Sequence, residues 1–247
     1  MQEAREYTLD GVFDTDASNT EVFDAVGRPV LEECLRGFNS SILAYGQTGT
    51  GKTHSLLREG EDAGLLHRLV DRLFQRLEDD AEAAYHVEMA AMQVYNEQID
   101  DLLHPCYRSG GGINIAVQSG GDVPALSWIA CECSEQMRSA ICRARSHVVL
   151  AETSMNKLSS RSHMLVQIRI VRRPVGVAPG APVARSKLTV VDLAGSERIK
   201  KSGVEGVNAK EAMSINRSLL ALGNVVNALA TKRAHVPVRD SKLTRIL

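Results

Sequence analysis

The chain has 247 residues, 44% hydrophobic and 24% charged, enough to bury the core of one globular domain or of two small ones. Its wholly apolar runs are too short for a transmembrane helix, and its start, Met1-Gln2-Glu3-Ala4-Arg5-Glu6, lacks the apolar stretch of a signal peptide. The net charge of −1 hides an asymmetry: residues 185–247 carry 12 Lys and Arg against 5 Asp and Glu, whereas residues 1–184 carry a net −8. Such a basic end either solvates helix surfaces or meets a partner with an acidic surface.

Along the chain, Thr20 precedes Glu21-Val22-Phe23-Asp24-Ala25-Val26 as an N-cap precedes a helix, with Val22, Val26, Val30 and Leu31 on one face and Pro29 bending or breaking it. Ser40-Ser41-Ile42-Leu43-Ala44-Tyr45, between Asn39 and Gly46, reads as a buried strand. Leu65 to Leu77 reads as a helix. His86 to Tyr95 reads as a strand with Val87, Met89, Ala91, Gln93 and Tyr95 on one face. Pro105 to Gly121 and Arg172 to Ser186 read as loops, Met164 to Val171 as a strand, and Leu188 to Leu193 as a strand buried on both faces. The last long element runs from about Ala209 to Ala230, where Ala212, Ile215, Leu219, Leu222, Val226 and Leu229 recur at helical steps. Strands alternating with helices predict an α/β fold, a central mostly parallel sheet flanked by helices on both faces.

Five cysteines (Cys34, Cys106, Cys131, Cys133 and Cys142) form no C-x-x-C pair. Cys131-Glu132-Cys133 lacks a second ligand pair, so reduced thiols of a cytosolic protein are the better reading than a zinc site.

Gly46-Gln47-Thr48-Gly49-Thr50-Gly51-Lys52-Thr53 satisfies G-x-x-x-x-G-K-[ST], with a strand leading in and helix-compatible sequence following. Glycines let successive backbone N–H groups wrap a β-phosphate, and the helix N-terminus adds its positive dipole end. Lys52 is then placed for the β- and γ-phosphates and the Thr53 hydroxyl for Mg²⁺. Asp192-Leu193-Ala194-Gly195 follows an apolar strand. A D-x-x-G alone is usually a turn. After a phosphate loop it becomes a γ-phosphate sensor, with Asp192 holding Mg²⁺ through water and the Gly195 N–H meeting the γ-phosphate. Guanine recognition needs an N-K-x-D after the sensor; Asn156-Lys157-Leu158-Ser159 lacks the aspartate and precedes it, so the expected nucleotide is ATP.

Taken in order, these strings resemble the kinesin motor domain. Tyr45 to His54 is similar to its phosphate loop. Asn156-Lys157-Leu158-Ser159-Ser160-Arg161-Ser162-His163 is similar to its first switch, and Val191-Asp192-Leu193-Ala194-Gly195-Ser196-Glu197-Arg198 to its second. Tyr95 to Ile99, Asp101-Leu102-Leu103, Ile215 to Leu219, Leu222-Gly223-Asn224, His235-Val236-Pro237 and Arg239 to Arg245 complete the series from about Tyr7 to Leu247. A myosin shares the switch logic, but its head is several times longer and fits these strings less well.

The resemblance implies a P-loop NTPase of kinesin motor type: a microtubule-stimulated ATPase that couples switch closure to microtubule binding and movement, with ATP and Mg²⁺ as cofactors. Ser160 would join Thr53 on Mg²⁺, Ser159 would help place the lytic water, and His54 would lie against the adenine. Arg161 and Glu197 would form a latch between the switches, with water polarised through Glu197. Arg198, Lys200, Lys201, Arg217, Arg239, Lys242 and Arg245 would face the acidic microtubule. The implied setting is the cytoplasmic microtubule cytoskeleton, with no nucleic acid, no membrane insertion, and oligomerisation left to a tail outside this sequence.

The departures shape a second reading. Nothing before Tyr7 resembles the family's R-x-R-P strand, and no final strand, helix and neck linker follow Arg245, so a single partial motor domain over residues 1–247 is expected. Val238 stands where the family usually has tyrosine, Met213 where lysine is common, Val148 where arginine is and His67 where proline is. The alternative is a non-motile kinesin-like module that binds nucleotide or microtubules without productive turnover.

Overall fold

The computed structural model describes residue 6 and residues 8–105, 107, 117–118, 122–154, 161–176, 183–197 and 207–247, the side chains of 150–154 and 207–216 excepted. The predicted Pro105 to Gly121 loop therefore lies mostly outside the described residues, as do Cys106, Ser159, Ser160, Arg198, Lys200 and Lys201.

Six strands form one sheet: β1 (Ser40–Ala44), β2 (Ala83–Tyr95), β3 (Gln98–Asp101), β4 (Ile129–Ala130), β5 (His163–Pro174) and β6 (Ala184–Asp192). Their order is β1-β6-β5-β2-β3, with β4 pairing on β2 outside that path. The α/β class holds, but among the described residues the sheet is mixed rather than mostly parallel. Only β1 and β6 run parallel, and the other four pairs are antiparallel. Chain connectivity is the reason. β2 turns into β3 through Asn96 and Glu97 at φ 49° and 58°, the left-handed pair of a type I′ hairpin. β5 returns as β6 with Arg172 opposite Ala184, so the loop predicted over Arg172 to Ser186 begins and ends as paired strand. β1 ends the sheet path and buries only Ile42, where a buried strand is expected from sequence; β6 is buried from Leu188 to Val191, on both faces.

Side chains alternate across the sheet and build two cores. Val87, Met89 and Ala91 of β2, with Met164, Val166 and Ile168 of β5, pack under α2 (Arg28–Leu35), α3 (Lys52–Leu57), α4 (Leu65–Asp79) and α5 (Ser134–Ser154). Ala90, Met92 and Val94, with Leu165 and Val191, pack on the other face under α6 (Val207–Ala230) and α7 (Lys242–Ile246). Helix α4 shows why it sits there: Leu65, Leu66, Leu69, Val70, Leu73 and Phe74 are all buried, one stripe at helical spacing.

Two helices differ from expectation. At the N-terminal end, Ser18 rather than Thr20 is the N-cap, in a capping box with Glu21, and α1 (Asn19–Val22) passes through a π turn (Phe23–Gly27) into α2. Pro29 sits in the first turn of α2, directly after the π turn, and Val26 is turned outward. In α6 the buried stripe is Ser218, Ala221, Val225 and Ala228, one residue out of step with the predicted one. Leu219 and Leu222 pack at its margin, while Val226 and Leu229 are 56% and 60% exposed. The buried side chains of the stripe are small apart from Val225, and the larger Val226 and Leu229 are left outside.

Leu69 is fully buried in the larger core. Leu69→Ala is expected to lower unfolding free energy by about 2–5 kcal/mol. The exposed Leu220→Ala should stay within about 0.5 kcal/mol. Denaturant midpoints of the two variants check both.

Candidate active site

The parallel pair β1·β6 puts Ala44 opposite Asp192. Two chain segments therefore leave the sheet side by side at its C-terminal edge, where ligands of open α/β sheets sit. Leu193 N–H donates to the Ala44 carbonyl at 3.3 Å and Ser196 N–H to the Gly46 carbonyl at 3.1 Å, zipping the loop after β6 to the start of the glycine loop. Gly51 caps α3 at φ 94°, a left-handed conformation that glycine adopts without strain. That turn delivers Lys52 and Thr53 as the first residues of α3.

Thr53 Oγ1 donates to Asp192 Oδ2 at 2.6 Å. The other oxygen, Oδ1, is buried and has no hydrogen-bond partner among the described residues. Burial pushes the Asp192 carboxyl up, against the lowering effects of the Thr53 bond, Lys52 and Arg145. A buried carboxylate oxygen without a donor, beside a hydroxyl, fits a hard divalent cation.

Lys52 Nζ donates to the carbonyls of Gly46 at 2.9 Å and Gln47 at 2.8 Å, curling over the loop. Thr48 binds Glu197 twice, its N–H donating to Oε2 at 2.9 Å and its hydroxyl to Oε1. Burial raises the Glu197 pKa, but the Thr48 donors outweigh it, and the carboxyl lies below its ordinary range. Gly195 lies beneath this contact. A Cβ there would collide with Thr48 Oγ1 and the Glu197 carboxylate, so glycine lets the Thr48–Glu197 contact form without either side chain shifting.

A cavity of about 460 Å³ opens beside the loop, lined by Gly49, Gly51, Lys52, Thr53, Asp192 and Gly195 on one side and by α5 on the other. Its volume falls within the range of cofactor pockets. Arg145, Val148 and Val149 line the α5 wall. His54 also lines it, its Nε2 at 2.6 Å from Arg58 Nη1.

The family model for the kinesin motor domain matches residues 1–247. The chain belongs to the kinesin motor domain family. It is 36% identical over 247 residues to kinesin-like protein 5 of Schizosaccharomyces pombe, covering 98% of this chain and 28% of that one. It is 40% identical over 262 residues to kinesin-like protein KIFC2 of Homo sapiens, covering 98% of this chain and 30% of that one. A solved structure described as a fast kinesin superimposes with a TM-score of 0.87 at 35% identity, over 98% of this chain and 69% of that one. The chain thus spans less than a third of these two curated relatives.

Within this kinesin fold, the structure brings together Gly46 to His54, Asp192, Gly195 and Glu197. Arg161 lies among the described residues, two positions before β5; Ser159 and Ser160 do not. Of the basic positions, Arg217 and Arg239 are exposed. Lys242 and Arg245 lie on α7, with Arg245 Nη2 donating to the Val117 carbonyl at 2.8 Å. All four are on the α6–α7 side of the sheet, away from α2 to α5.

Three residues escaped the sequence reading. Arg145 lies one helical turn before Val148, on the same face of α5, and Nη1 donates to the Leu57 carbonyl at 2.8 Å. Gln93 Nε2 donates to Ser162 Oγ at 2.7 Å inside the sheet. His163 accepts from Ala194 N–H at Nδ1, 3.0 Å away, and burial pushes its pKa down to about 4, so the ring is neutral. Helical spacing alone could have singled out Arg145; the other two depend on cross-strand register.

Gly195→Ala tests the close approach. It should disrupt the Thr48–Glu197 contact and cost about 1–3 kcal/mol. A lower melting temperature with faster amide exchange at Thr48 is the expected result, and unchanged exchange there would contradict the steric argument.

Proposed function

We propose that this kinesin motor domain binds Mg·ATP in the cavity beside the glycine loop and hydrolyses it, coupling loop closure to attachment to microtubules. The observation that carries the reading is the Thr53–Asp192 hydrogen bond, with the second Asp192 oxygen unpartnered among the described residues at the mouth of the glycine loop. The motif series and the family membership support it.

Backbone N–H groups of Gln47 to Gly51 and the Lys52 ammonium hold the phosphates, and His54 lies at the adenine end. Thr53 and Asp192, with Ser160 by resemblance alone, hold Mg²⁺, which when bound offsets phosphate charge. Gly195 N–H meets the γ-phosphate. Ser159 is assigned to the lytic water by resemblance, since it lies outside the described residues.

Glu197 gives the cycle its logic. The Thr48 amide has one proton to donate, so a phosphate oxygen and Glu197 compete for it. Phosphate bound there releases Glu197 towards Arg161, and the Arg–carboxylate latch closes around the γ-phosphate. As a carboxylate at neutral pH, Glu197 can accept a proton through the attacking water. The microtubule is the proposed acidic partner, met by Arg217, Arg239, Lys242 and Arg245, with Arg198, Lys200 and Lys201 added by resemblance. The setting proposed is the microtubule cytoskeleton of the cytoplasm.

Steady-state phosphate release, with and without microtubules at low salt, tests the reading. Stimulation is expected, Lys52→Ala should abolish nucleotide binding, and Glu197→Ala should retain binding while losing about 10²–10⁴-fold in turnover. A folded, nucleotide-binding chain without stimulation would instead be a non-motile module.

Pelleting with microtubules should weaken from low to high salt and on Arg217→Glu or Arg239→Glu. Binding that is indifferent to salt would remove the ionic interface.

A further inference from the structure

His163 opens β5 and is 2% exposed, wedged between the loop after β6 and helix α6. The antiparallel register that sets Met164 opposite Asp192 carries its ring alongside Ala194. Ala194 N–H lies 3.0 Å from Nδ1, and Ser218 Oγ lies 2.9 Å from Nε2. A backbone N–H can only donate, so Nδ1 is the acceptor. The neutral ring therefore carries its proton on Nε2 and donates it to the Ser218 hydroxyl.

Both ends of the bridge are buried. Ala194 is fully buried and Ser218 is 3% exposed. Neither the Ala194 N–H nor the Nε2–H can exchange its partner for bulk water, so separating loop from helix would strand a buried donor. The two nitrogens belong to one rigid ring, with no rotatable bond between them to absorb a shift. Ala194 immediately precedes Gly195, whose N–H is aimed at the γ-phosphate in the proposed function. Ser218 immediately follows Arg217, exposed on the face of α6 assigned to the acidic partner.

We propose that His163 is a positioning residue that ties the Ala194-Gly195 loop to helix α6, so that the two move as one and nucleotide state is passed to α6 through its ring. This rests on the nucleotide-binding reading above. Gln93 holds the preceding residue, Ser162, which keeps the ring's entry to β5 fixed.

Amide exchange of the 217–230 segment, measured on the whole chain with Mg·ADP and with Mg²⁺ plus a non-hydrolysable ATP analogue, reads the coupling. The unaltered chain should show about a fivefold difference between the two states, the lower end of ordinary coupling. Ser218→Ala removes the α6 acceptor while leaving the His163 ring and the Ala194 N–H in place. It should keep nucleotide affinity and a folded chain, with a lower melting temperature from the stranded Nε2–H, while the difference falls below about twofold. His163→Asn keeps an acceptor near the Nδ1 position but cannot reach Ser218. It should reproduce that loss, and the double variant should add nothing further. A folded Ser218→Ala chain that retains the full difference overturns the inference. So does an unaltered chain that binds both nucleotides without any difference in α6, and the nucleotide reading then stands alone. An unaltered chain that binds no nucleotide overturns both, and a direct titration identifies that case.

Discussion

The parallel register of β1 against β6 is the constraint on which the site depends. With Ala44 opposite Asp192, both strands end at the same edge, and the glycine loop and the D-x-x-G loop leave it together. Strand side chains alternate with a period of two, so a slip of one residue would turn Asp192 to the opposite face and away from Thr53. The antiparallel register of β5 against β6 extends the same logic, since Met164 opposite Asp192 leaves His163 beside Ala194. Residues more than a hundred positions apart in sequence thus meet through two strand pairings.

Around that edge the chain's own polar groups already use part of the loop's hydrogen-bonding capacity. Glu197 takes the amide and hydroxyl of Thr48, and Lys52 is anchored by two loop carbonyls. Hydrogen bonds to charged groups contribute about 1.5–3 kcal/mol each. Phosphate binding at Thr48 is therefore an exchange of one anion for another, and its net free energy is smaller than the contact itself. An exchange also has a direction built in: the displaced carboxylate must find another cation. Arg161, at the entrance to β5, is the cation that the motif series places nearest in role. A loop that simply accommodated phosphate would carry no such message to the second switch.

Much of this was legible because motifs report backbone chemistry. Glycine spacing, Lys52, Thr53 and Asp192 follow from what a phosphate and a divalent cation need, and the apolar run Leu188 to Leu193 revealed its strand. Other features were hidden. The sheet's mixed direction is decided by how β5 turns back into β6 and by the positive φ angles of Asn96 and Glu97, neither of which periodicity reports. The α6 stripe was misplaced by one residue because counting apolar side chains favours leucine and valine. The helix instead buries Ser218, Ala221, Val225 and Ala228, three of them small residues that a count of large apolar side chains passes over. The Thr48–Glu197 contact was invisible, since each residue alone looks like an ordinary polar group.

The buried polar string along the start of β5 shows why such groups persist in an apolar sheet. Gln93, Ser162, His163 and Ser218 are all nearly inaccessible to water, and each is hydrogen-bonded. Apolar residues of similar volume would pack there without needing partners. They would also tolerate a shifted register, because one methyl group contacts another equally well one step along. Hydrogen bonds do not tolerate it. With His163 displaced by one residue, the Ala194 N–H would face the Met164 side chain, a far weaker acceptor, and the Ser218 hydroxyl would lose its donor. The string therefore penalises the slipped pairing of β5 and β6 more than it stabilises the correct one. That selectivity falls on the register that holds Asp192 against Thr53, so the same side chains that fix the fold at this edge also keep the site assembled.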